Sequence, residues 1–252
     1  MTYPPLGAQL IVFEKQTDLE RNTAAVLDAV LDAGFEAVEC GAAFHAADPA
    51  AFKAMLDQRG LRVAGLHGAP ALDLDLAFKL LDVYGARDLC ISGLGNWGTC
   101  NSDVYLKDVE QFNALARQCA AHGVYTHYHN HAYEFAPTSE GPSGMDLIMG
   151  DLDYTVADLC VDVAWVHIGG HDPAMFLRKY ADHIGYVHLK DYIGDRHWVP
   201  LGQGRMPFDS VIKALPALKK ARWAVYEQDT SERPAAEACA ISRQYLAKTY
   251  EY

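Results

Sequence analysis

Polar and apolar positions along this chain switch repeatedly between two periods. Short runs of β-branched, aromatic and small apolar residues, the length of a strand, are followed by longer stretches with apolar residues at helical spacing. The first run is Gly7 to Phe13. Thr17-Asp18-Leu19-Glu20 then has the Thr-x-x-Glu form of a capping box. Leu19, Val26, Leu27, Val30 and Leu31 lie near one helical face, and Gly34 is a natural stop. The second strand is predicted over Phe35 to Cys40, and Asp48-Pro49 opens a helix that runs to Arg59-Gly60. Arg62 to His67 reads as the third strand, Leu74 to Tyr84 as a helix closed by Gly85, and Asp88 to Ser92 as the fourth strand. Val104 to His122 is a long helix ended by Gly123.

Val124-Tyr125-Thr126-His127 is rich in β-formers and leads into Tyr128-His129-Asn130-His131-Ala132-Tyr133-Glu134-Phe135, which gathers polar groups at a strand's exit. Alternation along a strand lets His129 and His131 point one way while Tyr128 and Asn130 point the other. A short helix near Met145 to Met149 follows, then a sixth strand over Tyr154 to Asp162 and a helix capped by Asp172-Pro173 that reaches His183. Ile184 to Asp191 is the seventh strand, Asp209 can cap a helix to Lys220, Arg222 to Glu227 is the eighth strand, and the last helix runs from Pro234 to Tyr250. Apolar strands interleaved with amphipathic helices call for a parallel sheet, and eight such units call for closure into a (β/α)8 TIM barrel. The open doubly wound alternative lacks a Gly-rich dinucleotide fingerprint after the first strand.

Composition narrows the function classes. The 252 residues, half of them apolar, contain no linker-like tract, so a single barrel domain over 1–252 is expected. A formal charge of -12 and a pI near 5.3 disfavour a nucleic-acid partner, which needs a basic face, and favour a small neutral or polar substrate. Met1-Thr2-Tyr3-Pro4-Pro5 lacks the basic and apolar regions of a leader, and no apolar run approaches membrane-spanning length, so a cytoplasmic protein without a membrane partner is expected. Cys40, Cys90 and Cys160 fall in predicted strands and Cys119 and Cys239 in predicted helices. With no CxxC pair among the six cysteines, buried free thiols explain them better than disulfides or zinc.

Barrel closure changes how the polar residues are read, because the carboxyl ends of all eight strands then surround one opening. Those ends carry Glu39, His67, His129 with His131 and Glu134, Asp162, His188 with Lys190 and Asp191, and Glu227. So many buried ionisable groups cost several kcal/mol each unless they are paired or bound to a cation, and one divalent ion is the economical compensation. An oxygen-rich set with one or two imidazoles suits Mn²⁺ first, with Mg²⁺ and Co²⁺ close and Zn²⁺ as a further alternative. Lys190 can supply positive charge to a developing oxyanion or pair with Asp191. Leu201-Gly202-Gln203-Gly204-Arg205 can bring amides and the Arg205 guanidinium toward a phosphate or sugar hydroxyls. Phe13, Phe44, Trp97, Trp165 and Trp198 fall in strand-to-helix connections, where a ring can pack on the apolar face of a sugar.

The runs YHNHAYEF, LCVDVAWVHIGGHDPAMFLRKYADHI, YVHLKD, LGQGRMPF and VYEQD together resemble the sugar phosphate isomerase/epimerase family, the xylose isomerase-like barrels, over nearly the whole chain. The resemblance implies one divalent ion held by a Glu, an Asp, a His and a second Glu from the last four strands. By position, Asp162, His188 and Glu227 match three of these. The first is open between Glu134 and His129 or His131, since many relatives end strand five with a glutamate where this chain has His129. Trp165 stands where relatives often carry a histidine. The expected activity is that of a sugar isomerase or epimerase acting through an enediolate on a ketose or keto-sugar, phosphorylated or not. Glu134 and Glu227 are its catalytic carboxylates, assisted by Lys190. Glu39, His67, His129, His131, Trp165 and Arg205 contact the sugar, and a homodimer is left open. The rival readings are a dehydratase or lyase on a keto-sugar or keto-inositol, an abasic-site endonuclease-like barrel, and a sugar-binding barrel without catalysis.

Overall fold

The computed structural model describes residues 2–98, 101–194 and 196–252. Besides a two-stranded ribbon of Asp191–Tyr192 with Trp198–Val199, eight strands form the barrel: β1 Leu6–Gln9, β2 Ala37–Gly41, β3 Arg62–Gly68, β4 Asp88–Ser92, β5 Tyr125–His129, β6 Ala157–Asp162, β7 Ile184–Leu189 and β8 Trp223–Tyr226. Each pairs in parallel with its sequence neighbours, and β8 returns to pair with β1 through Leu6↔Ala224, Gly7↔Val225 and Ala8↔Tyr226, so the sheet closes. This is the predicted TIM barrel. Among the described residues no helix is long and apolar enough to cross a membrane. Cys40, Cys90, Cys119, Cys160 and Cys239 are buried free thiols, as expected; Cys100 lies outside the described residues.

Two apolar layers hold the barrel. The larger lies between sheet and helices. The smaller is inside the barrel and consists of Ala37, Ala64, Cys90, Cys160, Tyr186, Trp223 and Val225. The inner layer fills the barrel beneath the mouth. At its amino end, Asp88 accepts from Arg222 Nε at 2.8 Å and lies 2.9 Å from His127 Nε2. The His127 ring lies against Gly185, where a Cβ would sit 2.6 Å from it, so only glycine fits that point of β7.

Several element boundaries differ from the sequence reading, each for a local reason. The first apolar run does not continue as strand to Phe13. Gln9 Oε1 accepts the Ile11 amide, and Ile11–Glu14 turns as a helix that buries Val12 and Phe13. Asp18, not Thr17, caps the first long helix, Leu19–Ala33, accepting from the Arg21 amide, while Thr17 Oγ1 accepts from Asn22. Asp153 accepts the Thr155 amide at 3.2 Å and holds the chain in a turn, so β6 begins at Ala157 rather than Tyr154. The helix proposed from Asp209 to Lys220 is only Phe208–Ile212, followed by a 3₁₀ turn Leu215–Ala217 around Pro216, which has no amide to donate. Asp209 caps nothing; it accepts from the Tyr250 hydroxyl.

Candidate metal centre

The carboxyl ends of β5 to β8 bring four side chains together. His129, Asp162, His188 and Glu227 are all buried, and one donor atom from each lies within 4.8 Å of the others. His129 Nε2 is 3.7 Å from both Asp162 Oδ2 and Glu227 Oε2, and His188 Nδ1 lies against Glu227 Oε2 without forming a hydrogen bond. These four atoms have no hydrogen-bond partner although they are buried. Orphaned buried polar atoms are costly, and four that converge on one point are consistent with a divalent-ion site. Two imidazole nitrogens and two carboxylate oxygens fit a divalent ion such as Mn²⁺, Co²⁺ or Zn²⁺, better than the all-oxygen cage that Mg²⁺ favours.

Local structure aims each group. Asp162 ends β6 and caps the following helix, Val163–Ile168. Its Oδ1 accepts from the Ala164 and Trp165 amides at 2.8 and 3.1 Å, so only Oδ2 is left for the cluster. Asn130, which the sequence reading assigned no role, accepts from the Asp162 amide at 3.0 Å and ties the ends of β5 and β6 together. Lys190 is fully buried and reaches Glu227 Oε1 at 3.0 Å, Asp229 Oδ1 at 2.8 Å and Asp162 Oδ2 at 3.6 Å. Burial pushes the Lys190 pKa down, but Glu227, Asp162 and Asp229 outweigh it and keep the ammonium charged. Its expected alternative partner, Asp191, is engaged elsewhere, and Asp229 was not singled out because a charge three residues beyond a strand carries no periodic signal. Trp198 and Trp165 cover Lys190, with Nζ 4.3 and 5.1 Å from their ring centroids.

Glu134 does not reach this cluster. It is buried in the 3₁₀ turn Tyr133–Phe135, where Oε1 accepts from the Tyr128 hydroxyl and Oε2 from the His131 amide, each at 2.5 Å. Burial pushes its carboxyl up to about 7. Strand parity explains the difference: β5 extends to His129, which therefore faces inward, while Tyr128 faces outward and meets Glu134 there. His129 thus stands where the first carboxylate was sought. Burial alone would keep His129 neutral, yet Asp162 and Glu227 push its pKa up to about 10. His131 lies just past the strand, its ring 4.9 Å from that of His129 and 5.3 Å from Trp165. Burial, with the charges of His129 and Lys190, pushes it down to about 2.

Glu39 and His67, placed among the sugar contacts, occupy different positions. Glu39 is fully buried, 2.9 Å from His188 Nε2 and 3.1 Å from His67 Nδ1, so no substrate touches it. Burial pushes its carboxyl up, but His188 and then His67 hold it well below the usual carboxylate range. His67 is only partly buried and faces the mouth, with Nε2 3.3 Å from Ser92 Oγ. The Gly-rich loop offers no amides to a phosphate. Asp191 accepts from Tyr192, Gly202, Gly204 and Met206 amides at 2.8 to 3.1 Å, and the Arg205 side chain is exposed. A groove lined by Phe135, Met149, Met175 and Tyr180 opens on the outer wall, but it gathers none of these groups.

Comparison with known proteins agrees with this fold. Residues 27–248 match the family described as the xylose isomerase-like TIM barrel. An inosose dehydratase from Geobacillus kaustophilus is 29% identical over 160 residues, covering 56% of this chain and 50% of that protein. One from Klebsiella pneumoniae is 27% identical over 263 residues, covering 86% of each. The crystal structure of a sugar phosphate isomerase/epimerase from Parabacteroides distasonis superposes with a TM-score of 0.79 at 22% identity, over 98% of this chain and 94% of that one. The chain belongs to the xylose isomerase-like TIM barrel family.

Proposed function

We propose that this protein removes a proton from the carbon beside the carbonyl of a keto-sugar or keto-cyclitol and expels the neighbouring hydroxyl, a dehydratase reaction dependent on one divalent ion. The observation that carries this reading is the convergence of four unpartnered ligand atoms beside a buried ammonium, Lys190. His129, Asp162, His188 and Glu227 would hold the ion, Mn²⁺ first. When bound, the ion supplies a Lewis acid that polarises the carbonyl and stabilises the enediolate.

The chain's own residues supply the rest. His67 is the base: its Nδ1 is backed by the buried Glu39 carboxylate, so Nε2 is the nitrogen presented toward the mouth. Lys190 stays charged, and its field offsets the negative charge that develops on substrate oxygens. Trp165 and Trp198 shield that charge from water, which strengthens it. The departing hydroxyl leaves as water with the proton that His67 holds. A single group that takes the proton and returns it to the leaving hydroxyl suits elimination, and the curated relatives named above are dehydratases.

Epimerisation is the second reading, favoured by one observation. His131, neutral and with Nδ1 unpartnered, has its ring 4.9 Å from that of His129, as the His67 ring does, so a second proton carrier is available beside the cluster. Turnover of a keto-inositol and a panel of keto-sugars in D₂O, by the Mn²⁺-loaded protein, separates the two. Loss of water with appearance of an enone is expected. Deuterium at carbon without loss of water moves the assignment to an epimerase. No reaction on any of them, with sugar binding unchanged by chelator, refutes the enzymatic reading.

A further inference from the structure

We infer that Glu39 is a positioning residue shared by two histidines of opposite function, fixing His188 as an ion ligand through Nδ1 and His67 as a base through Nε2. The inference rests on the metal reading above and adds to it the requirement that the carboxylate behind His67 also fix the tautomer of His188.

A carboxylate buried without solvent must have its oxygens satisfied, and Glu39 has one imidazole on each: His188 Nε2 on Oε2 at 2.9 Å and His67 Nδ1 on Oε1 at 3.1 Å. An ionised carboxylate only accepts, so both rings must donate to it. His188 therefore carries its hydrogen on Nε2. That leaves Nδ1, the nitrogen that faces Glu227 in the cluster, as the lone pair an ion requires. His67 carries its hydrogen on Nδ1, which leaves Nε2 as the acceptor beside Ser92 Oγ. One side chain thus sets two rings to opposite tautomers. Its neighbour in the strand register, Gln9, cannot substitute, because its amide oxygen is spent on the Ile11 amide.

Glutamine at position 39 has one accepting oxygen and one donating nitrogen, so it can satisfy only one ring in its present tautomer. The test begins with Zn²⁺-loaded, ¹⁵N-histidine-labelled wild-type protein. Long-range ¹H–¹⁵N correlation should show His188 bound through Nδ1 and protonated on Nε2, and His67 protonated on Nδ1. Mn²⁺ affinity is then measured by chelator competition, with melting of the ion-free protein as the fold control. Glu39→Gln should weaken Mn²⁺ by about 10- to 100-fold, the usual effect of removing a carboxylate behind a ligating histidine. His67→Asn, which leaves the Glu39–His188 contact in place, should keep affinity within about threefold while turnover is lost. Glu39→Asp, which keeps the charge but shortens the reach, should fall between wild type and Glu39→Gln.

Unchanged Mn²⁺ affinity in Glu39→Gln, or His188 ligating through Nε2 in the wild type, overturns the inference and leaves the metal reading standing. Wild-type protein that binds no divalent ion overturns the metal reading itself. The tautomer measurement requires no variant to fold.

Discussion

Glu134 gives the most quantitative prediction, because the structure removes it from the ion cluster and buries it. The unfolded chain titrates this group near 4.5, whereas burial raises it to about 7 in the folded protein. A raised carboxyl pKa means the folded state binds the proton more tightly than the unfolded state. The group's contribution to stability is therefore fully present below pH 4.5 and is lost as pH rises through 7. At about 1.4 kcal/mol per pH unit, a shift of roughly 2.5 units amounts to about 3 kcal/mol. Glu134→Gln abolishes this titration but forfeits one acceptor, since an amide cannot accept from both the Tyr128 hydroxyl and the His131 amide. The variant should be less stable than wild type at pH 4.5, by about 1–3 kcal/mol for the unmatched donor, and should recover about 3 kcal/mol relative to wild type by pH 8. Urea denaturation of both proteins, ion-free in chelator, at half-unit intervals between pH 4.5 and 8 measures the difference directly, and other titrating groups cancel in it. A difference independent of pH would refute the argument.

Three further outcomes are expected. His129→Ala and Asp162→Ala should each lose the single divalent ion per chain, as read by elemental analysis, with far-UV circular dichroism unchanged; ion loss in Glu134→Gln but not in His129→Ala would return Glu134 to the centre. Lys190→Met leaves Glu227, Asp162 and Asp229 without their cation and should destabilise the ion-free protein by about 3–5 kcal/mol, with part recovered on adding Mn²⁺; unchanged denaturation would contradict this. Gly204→Ala places a Cβ 2.1 Å from Asp191 Oδ1 and 2.5 Å from the Tyr192 carbonyl oxygen. Because four amides pin that carboxylate, it cannot yield, and a loss of about 1–3 kcal/mol should appear in denaturant melts.

Much of the barrel was legible because strands and helices announce themselves by different periods and because Asp48, Asp172 and the glycines after helices mark ends chemically. The first run misled because Leu10 to Phe13 is apolar throughout, and such a run reads equally well as buried strand or buried helical turn. Asp162, His188 and Glu227 could be placed because each sits at or next to the end of a clear strand. The fourth member was left open between Glu134 and His129 or His131: Glu134 has the right chemistry, but its place is set by where β5 stops and which face His129 takes. The loop LGQGR was misread for a different reason. Its amides do converge on an anion, but the anion is Asp191, and sequence does not say which acceptor a set of donors will find. Asp229 was overlooked because only the folded chain brings it to Lys190.

The closure of β8 onto β1 bears on how the site comes into being during folding. Glu227 follows directly after β8, the last strand to be made, whose pairing with Leu6, Gly7 and Ala8 seals the sheet. His129, Asp162 and His188 precede it in the chain, and Glu39, which orders His188, lies near the beginning. The strand that seals the sheet is therefore also the one that brings Glu227 to the other three residues. Without β8 the remaining strands carry His129, Asp162 and His188 but neither Glu227 nor the Lys190–Glu227 pair. On the reading proposed above, an ion held by all four residues would fasten β8 to β5, β6 and β7 across the mouth, while the seam itself rests on the pairing of β8 with β1.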